Sequence, residues 1–162
     1  MAMDRPTDLI EYETMLLGRH VHMSPRAKRG SGSGSGSGSG NLERSAYILL
    51  SRLRMEGPMS IGQLSDAFGL DASTLNRQTA AMMRAGLVER IPDEKGGIAR
   101  KFRITEEGAR SLEAERAEIV SGLDNILKEW TPEEVAVFAA CLKRFNTDIE
   151  RVNGRPWPRP RP

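Results

Sequence analysis

The stretch from Ser60 to Arg103 constrains the fold of this 162-residue chain more than any other part. Two short segments with helical spacing of apolar residues meet at Phe68-Gly69, and a glycine there can adopt the left-handed conformation that ends a helix. Ser60 and Gln63 have the spacing of a capping box at the start of the first segment. Asp71 is expected to cap the first amides of the second. The stretch therefore predicts two helices joined by a sharp turn, a helix-turn-helix.

The start of the second helix combines residue types that suit nucleic-acid recognition. Leu75, Thr79, Met82 and Met83 recur at helical spacing and are expected to form its buried side. The opposite side carries short hydrogen-bonding side chains and one guanidinium, which are groups that bind base edges and phosphate oxygens. We therefore predict DNA contacts at Ser73, Thr74, Asn76, Arg77 and Gln78.

A basic hairpin is predicted after the second helix. Leu87, Val88 and Ile91 indicate a short strand, and residues 99–104 indicate its partner, with a Gly-Gly turn between them. The net charge of +2 does not by itself indicate a polyanion-binding protein, but basic residues outnumber acidic ones between Arg77 and Arg103. Contact with a phosphate backbone or a minor groove is therefore expected from Lys95, Arg100, Lys101 and Arg103.

Two amphipathic helices are predicted before this stretch. In the first, from Thr7 to about Met23, Asp8 and Glu11 have the spacing of a cap and its partner. Such a helix is marginal alone in water, so its apolar side requires a partner elsewhere in the protein or in a second subunit. The second helix has Asn41 as its expected cap and ends at residues 56–58. Its apolar stripe supports the helix-turn-helix and consists of Leu42, Ala46, Leu49, Leu50 and Leu53.

Two further helices follow the hairpin. Thr105 and the two glutamates after it are typical of a helix start, and Thr131-Pro132-Glu133-Glu134 is typical of another. The last helix repeats apolar residues in alternating steps of three and four, which indicates a heptad pattern and a partner helix. This apolar seam consists of Val135, Phe138, Leu142, Phe145, Ile149 and Val152. The tail that follows, RPWPRPRP, is expected to stay extended or mobile because of its prolines and positive charge.

The composition also argues against several classes of protein. A single cysteine, Cys141, excludes an intramolecular disulfide, and it is expected to be packed rather than redox-active. His20 and His22 lie two residues apart, on different sides of a helix, so they do not form a metal pair. We find no arrangement of catalytic residues, no phosphate-binding glycine motif and no secretory or membrane-spanning run. We therefore expect a cytoplasmic protein that is not an enzyme and needs no cofactor or metal.

Three segments of the sequence resemble the MarR-type bacterial transcriptional regulators. IGQLSDAFGLDASTLNRQTAAMMRAGLVER is similar to their recognition segment, RITEEG to the exit of their wing, and TPEE to the start of their final helix. The resemblance implies a mainly α fold with a small β-wing, in which a winged helix-turn-helix is joined to a helical dimerisation region. It also implies a homodimer that binds double-stranded DNA at a pseudo-palindromic operator, usually as a repressor. Members of the family often respond to a small-molecule effector, whose identity this sequence does not specify.

The resemblance assigns roles to particular positions. The family's recognition helix adds Ala72 to the predicted DNA contacts and matches Arg77 best. In the wing, Gly96 and Ile98 stand where the family commonly has an aspartate and a DNA-contacting arginine, so Lys95 or Arg100 replaces that contact or the wing touches only phosphate. The first helix and the last two helices are implied to form the dimer, and the dimerisation residues are Leu9, Leu16, Leu17, Val135, Phe138, Leu142, Phe145 and Ile149.

The predicted organisation has five parts. An N-terminal dimerisation helix occupies residues 1–29, and residues 30–40 alternate glycine and serine, which is typical of a flexible linker. This alternation resembles an engineered linker or a placeholder for a deleted segment. The DNA-binding domain occupies residues 41–104, the C-terminal dimerisation helices residues 105–153, and a flexible basic tail residues 154–162.

A second function remains open from the residues alone. A winged helix with basic hairpin residues can also bind a protein without specific DNA binding, and the missing wing arginine favours this alternative. Salt dependence distinguishes the two, because DNA binding through several phosphates weakens steeply as the salt concentration rises.

Overall fold

The computed structural model of the chain describes residues 5–23, 42–93, 96 and 100–160. The Gly/Ser segment, Asn41 and Lys95 lie outside these residues. The chain divides into two compact units, residues 1–41 and residues 42–162. No helix in the described ranges has the length and apolar character needed to cross a membrane.

The first unit contributes one described helix, α1 (Pro6–Met23). It begins one residue before the predicted start, and Asp8 lies in its first turn rather than at the cap. The Asp8 carboxylate accepts hydrogen bonds from the Arg5 backbone N–H and guanidinium, each at 3.1 Å. Within this unit the side chains of Leu9 and Leu17 are exposed and that of Leu16 is half-buried, so the apolar side of α1 is largely uncovered there.

The second unit contains five helices and three strands among its described residues. In chain order they are α2 (Arg44–Glu56), β1 (Met59–Ser60), α3 (Ile61–Phe68), α4 (Ala72–Arg84), β2 (Val88–Ile91), β3 (Lys101–Ile104), α5 (Glu106–Ile126) and α6 (Pro132–Asn153). The strands form an antiparallel sheet in the order β1-β3-β2. The predicted fold class, mainly α with a small β-wing, is therefore confirmed.

A single apolar cluster joins the helix-turn-helix to the sheet and to α5. Leu49, Leu50 and Leu53 of α2 pack with Leu64 of α3 and with the partly buried residues around them. The remaining members of the cluster come from every other element of the second unit except α6: Met59, Leu75, Met82, Val88, Phe102 and Leu112. The predicted apolar stripe of α2 is thus part of the core, which supports α3 and α4 from behind.

Three local expectations require correction. Helix α2 begins at Arg44, so Leu42 precedes it, and the residue at its cap is Glu43, without a side-chain hydrogen bond. The Leu42 backbone N–H instead donates to the buried Glu115 carboxylate at 3.4 Å. The third strand is shorter than predicted and begins at Lys101.

The two-residue strand β1 was not predicted. It places Met59 opposite Phe102 and Ser60 opposite Lys101, so that β3 is the central strand. The Phe102 side chain is almost completely buried there. Two residues carry no alternation of apolar and polar side chains, which is why the sequence pattern gave no indication of this strand.

Residues 155–160 also differ from expectation. They have no regular secondary structure, as the prolines predict, but they are not free of the protein. Trp157 is half-buried and its ring contacts the Phe68 ring of α3 edge to face, with 5.3 Å between the centroids. An aromatic ring can bury apolar surface even when the flanking prolines prevent a helix.

Candidate nucleic-acid interface

The turn between α3 and α4 is fixed by local hydrogen bonds. The predicted capping box is present: the Gln63 N–H donates to Ser60 Oγ, and the Ser60 N–H donates to Gln63 Oε1. Gly69 ends α3 with φ of +64°, a left-handed conformation that other residues rarely adopt. Ser65 Oγ then donates to the Leu70 carbonyl at 2.5 Å. The direction in which α4 leaves the turn is therefore set by short-range contacts.

The predicted cap of α4 has a different partner. Asp71 occupies the N-cap position, but its side chain makes no hydrogen bond to a backbone amide of the helix. Asp71 Oδ2 instead accepts a hydrogen bond from the Thr74 hydroxyl at 3.1 Å. A nearby hydroxyl competes with the backbone for a short carboxylate, so spacing alone did not identify the donor. The hydroxyl proton of Thr74 is therefore already donated in a hydrogen bond within the protein.

The buried and exposed sides of α4 agree with the sequence prediction. Leu75, Thr79 and Met82 face the core, and Thr79 Oγ1 donates to the Leu75 carbonyl at 2.8 Å. Four of the predicted DNA-contacting residues are exposed, namely Ala72, Ser73, Asn76 and Arg77, while Thr74 and Gln78 are half-buried. The structure thus presents four of the six to solvent and leaves Thr74 and Gln78 partly covered.

Two arginines of α4 are available to an external anion. Among the residues that the structure describes, Arg77 and Arg84 make no ion pair or hydrogen bond through their side chains. Arg77 lies in the second turn of the helix, beside Ser73 and Asn76. An exposed guanidinium without an internal partner can bind a guanine edge or a phosphate without first breaking an ion pair.

The wing has less available positive charge than its composition suggests. Arg103 donates two hydrogen bonds to Glu89 Oε1 across the β2–β3 pair, at 2.9 and 2.7 Å. Lys101 Nζ lies 3.1 Å from Asp93 Oδ1, and the Arg90 guanidinium stacks over the Phe102 ring at 5.4 Å. Arg100 is exposed. Of the predicted wing contacts, Arg100 is thus presented to solvent, whereas Lys101 is held by a carboxylate.

The base of the wing is joined to α5 by one threonine. Thr105 Oγ1 donates to the Gly86 carbonyl at 2.7 Å and accepts from the Gly108 N–H at 3.0 Å. The Thr105 N–H donates to the Leu87 carbonyl at 3.1 Å. The predicted start of α5 is confirmed, and its cap also fixes the end of α4 and the first wing strand relative to α5.

The apolar seam of α6 is uncovered within the second unit. Helix α6 has no fully buried residue. Its predicted dimerisation residues Phe138, Leu142, Phe145 and Ile149 expose 47%, 41%, 45% and 42% of their surface, and Val135 is half-buried. Leu123 and Ile126 of α5 are exposed as well. Aromatic and branched residues in such numbers on one surface mark a site of association.

Cys141 lies beside this surface rather than inside the protein. It is exposed and borders an open groove with Trp130 and Phe138, whose rings meet edge to face at 5.6 Å. The expectation that it is packed is wrong for the single chain. The described residues contain no group of three or more His, Cys, Asp or Glu with metal-binding geometry.

Sequence reasoning missed an ion pair that holds a buried arginine of α2. Arg52 of α2 is only 6% exposed, and its Nε and Nη2 donate to the Glu56 carboxylate at 2.7 and 2.9 Å. The spacing of four residues between them is the signal that could have identified the pair. The Arg52 guanidinium also lies over the Trp157 ring. Trp157 is distant in the sequence, and no sequence pattern indicated this contact.

Comparisons with known proteins support a common fold and family for the whole chain. A profile of the MarR family matches residues 41–97. An uncharacterized HTH-type transcriptional regulator of Bacillus subtilis strain 168, YxaD, is 37% identical over 147 residues, which cover 90% of this chain and 96% of that protein. The structure of a MarR family protein from Bacillus stearothermophilus is similar with a TM-score of 0.68 and 26% identity, covering 91% of this chain and 99% of that one.

A second similar structure was solved with a ligand. The PcaV transcriptional regulator from Streptomyces coelicolor was solved in complex with its natural ligand. It is 21% identical to this chain, with a TM-score of 0.55, and the match covers 90% of this chain and 97% of that one. At this level of identity the similarity concerns the fold.

Proposed function

Because this chain belongs to the MarR family of winged helix-turn-helix transcriptional regulators, we propose that it binds a pseudo-palindromic operator as a homodimer and represses transcription by occupying it. The family already makes it a DNA-binding transcriptional regulator. The dimer, the palindrome and the sign of regulation are the proposed part. An operator occupied by such a dimer excludes polymerase from the same DNA.

The exposed side of α4 is the observation that carries the proposal. It presents Ser73, Asn76 and Arg77 to solvent while Leu75, Thr79 and Met82 hold the helix against the core. A helix supported in this way can enter a major groove with its first turns against the base edges. In this proposal Arg77 makes a bidentate contact with guanine, and Arg84 and Arg100 contact phosphate.

The homodimer is supported by the exposed residues of α6. A surface that includes Phe138, Leu142, Phe145 and Ile149 would leave several large apolar side chains in water in a monomer. Two-fold pairing through the apolar seam would cover them and would place two α4 helices on one DNA duplex. Recognition helices about 34 Å apart would reach successive major grooves of the same face.

We also propose that a small-molecule effector releases the DNA. PcaV, which shares the fold, has a natural ligand. An effector that changes the distance between the two α4 helices would weaken binding, because both half-sites must be contacted together. Its chemical class stays open in this proposal.

The recognition helix is tested by replacing Arg77 with alanine. A duplex is first selected from a random DNA pool with the wild-type chain, and affinity is then measured by titration at fixed salt. We expect Arg77→Ala to cost about 1–3 kcal/mol of binding free energy, since a bidentate base contact is lost. Arg144→Ala removes an exposed arginine of α6 and is the matched control, expected to bind like the wild type. Equal affinity of the two variants would remove α4 from the proposed interface.

One observation favours the alternative of a protein-binding winged helix. Lys101 and Arg103 are already paired with Asp93 and Glu89, which lowers the charge that the wing can offer to phosphates. The salt dependence of binding to the selected duplex distinguishes the two functions. Several phosphate contacts predict a steep linear fall of log affinity with log salt, whereas a flat response would favour the protein partner.

A further inference from the structure

The segment Arg155–Pro160, which we call the C-terminal arm, folds back from the end of α6 onto the helix-turn-helix. Its central residue is Trp157. The ring of Trp157 meets the Phe68 ring of α3 at an interplanar angle of 89°, and the Arg52 guanidinium of α2 lies 4.7 Å from the ring centroid on the tryptophan face. One aromatic side chain therefore contacts two helices of the DNA-binding domain.

The base of the C-terminal arm is held to α6 by one carboxylate. Glu150 of α6 accepts a hydrogen bond from the Trp157 backbone N–H at 3.0 Å. The same carboxylate accepts two more from Arg159, at 2.9 Å from Nη1 and 2.6 Å from Nη2. A bidentate arginine and a backbone amide together fix both the position and the direction of the segment relative to α6.

The Arg52 side chain that receives the C-terminal arm is also held by contacts within its own helix. Arg52 is oriented by its two hydrogen bonds to Glu56, which leave Nη1 to donate to the Pro156 carbonyl at 3.2 Å. Prolines on both sides of Trp157 restrict the backbone to extended conformations. Little conformational freedom is therefore lost on docking, which favours a persistent contact.

The C-terminal arm also touches the turn of the helix-turn-helix. A Cβ atom built at Gly69 would lie 2.8 Å from Cζ of Arg155, so the Arg155 side chain lies directly against the turn that precedes α4. The arm thus joins α6 to α2, to α3 and to the residue that sets the direction of α4. In contrast, α6 itself has no fully buried residue.

From these contacts we infer that Trp157 is a positioning residue for DNA recognition: the C-terminal arm fixes the orientation of α4 relative to α6, and through α6 the spacing of the two α4 helices in the dimer. This inference rests on the proposed dimeric DNA binding. Without the arm, each DNA-binding domain can rotate relative to α6, and the dimer accepts half-sites at more than one spacing. With it, the dimer is specific for one spacing.

The test compares full-length wild-type, Trp157→Ala and Trp157→Phe chains on the duplex selected by the wild type. Affinity is also measured on duplexes with one base pair added or removed between the half-sites, which changes their separation by about 3.4 Å and their rotation by about 35°. We expect the wild type to lose at least about fivefold in affinity on the altered duplexes. Trp157→Ala should bind all three duplexes within about twofold of one another. Trp157→Phe keeps an aromatic ring between Phe68 and Arg52 and should restore most of the preference.

Sedimentation and circular dichroism of each variant establish that it is a folded dimer. If Trp157→Ala does not fold, Arg159→Ala removes the bidentate contact with Glu150 at the surface and is expected to relax the spacing preference in the same way. A folded variant with the wild-type spacing profile would overturn the positioning role while leaving dimeric DNA binding in place. If the wild type instead selects no two-fold DNA site, the proposed function fails, and with it the inference.

Discussion

Among the glycines that the structure describes, Gly108 is the one at which an added Cβ atom would meet the closest contacts. A Cβ atom there would overlap the Leu87 carbonyl oxygen, which accepts the Thr105 N–H, and would lie 2.9 Å from Cγ1 of Ile104. Because the clash is with backbone at the junction of the wing and α5, we expect Gly108→Ala to reduce the free energy of unfolding by about 1–3 kcal/mol. Urea unfolding at a fixed protein concentration measures it.

Gly122 provides the control on the same helix. A Cβ atom at Gly122 has no neighbour within 4 Å. Alanine is a better helix former than glycine, so Gly122→Ala should raise the free energy of unfolding by about 0.5–1 kcal/mol. Equal destabilisation by both substitutions would mean that the contact with Leu87 does not decide the effect at Gly108.

Residues whose roles depend on near neighbours were the ones that the sequence predicted best. Ser60 with Gln63 forms the predicted capping box, and the predicted helix start at Thr131 is present, with a capping box between Thr131 and Glu134. Asp71 shows the limit of this approach. Its position at the helix start was correct, but its hydrogen-bond donor was the Thr74 hydroxyl, because several donors lie within reach of one short side chain.

At the scale of elements, Glu150 makes the C-terminal arm sensitive to acid. The hydrogen bonds from Arg159 and from the Trp157 N–H lower the pKa of Glu150 from 4.5 to about 2. A group whose pKa is lowered by docking stabilises the docked state at pH values above its ordinary pKa. That stabilisation is lost as the pH falls from about 4.5 towards 2, so protonation of Glu150 should release the arm.

Fluorine NMR of a chain labelled with fluorotryptophan measures this release. Trp157→Phe assigns the two tryptophan signals, and circular dichroism follows the global fold over the same pH range. The Trp157 signal of the wild type should move towards the solvent-exposed position as the pH falls below about 4.5. Glu150→Gln is uncharged throughout, so its Trp157 signal should lack this step. An identical pH profile in both chains would mean that Glu150 does not hold the arm.

Elements formed by contacts between distant residues were the ones that the sequence did not predict. The amphipathic pattern of α2 and α4 identified their buried sides because each pattern repeats within the helix. Strand β1 exists through its pairing with Lys101 and Phe102, and the C-terminal arm docks through Arg52 and Phe68. Such contacts have no local period. In the candidate interface, the exposed side of α4 was therefore predictable, whereas the pairing of Lys101 with Asp93 was not.

At the scale of the whole molecule, α6 carries both the uncovered apolar seam and the carboxylate that binds the C-terminal arm. Phe138 and Leu142, in the first half of α6, are exposed. Glu150, near the end of α6, binds the C-terminal arm, which contacts the DNA-binding domain. A force or ligand that shifts α6 in the dimer would therefore be transmitted through the arm to α3 and to the turn before α4. The arm can transmit such a shift between the two subunits only if the apolar seam is the dimer contact.

That condition is tested by placing two charges in the apolar seam. Leu142→Asp with Phe145→Asp would bring carboxylates into the proposed dimer contact, where burial without a partner is strongly unfavourable. We expect a dimer-to-monomer change in sedimentation equilibrium at micromolar protein, and loss of binding to the two-fold duplex. Ala140→Glu introduces a charge at an exposed position on the opposite side of α6 and should leave the dimer intact. A double variant that still sediments as a dimer would place the dimer contact elsewhere. The C-terminal arm would then no longer be expected to set the spacing of the recognition helices.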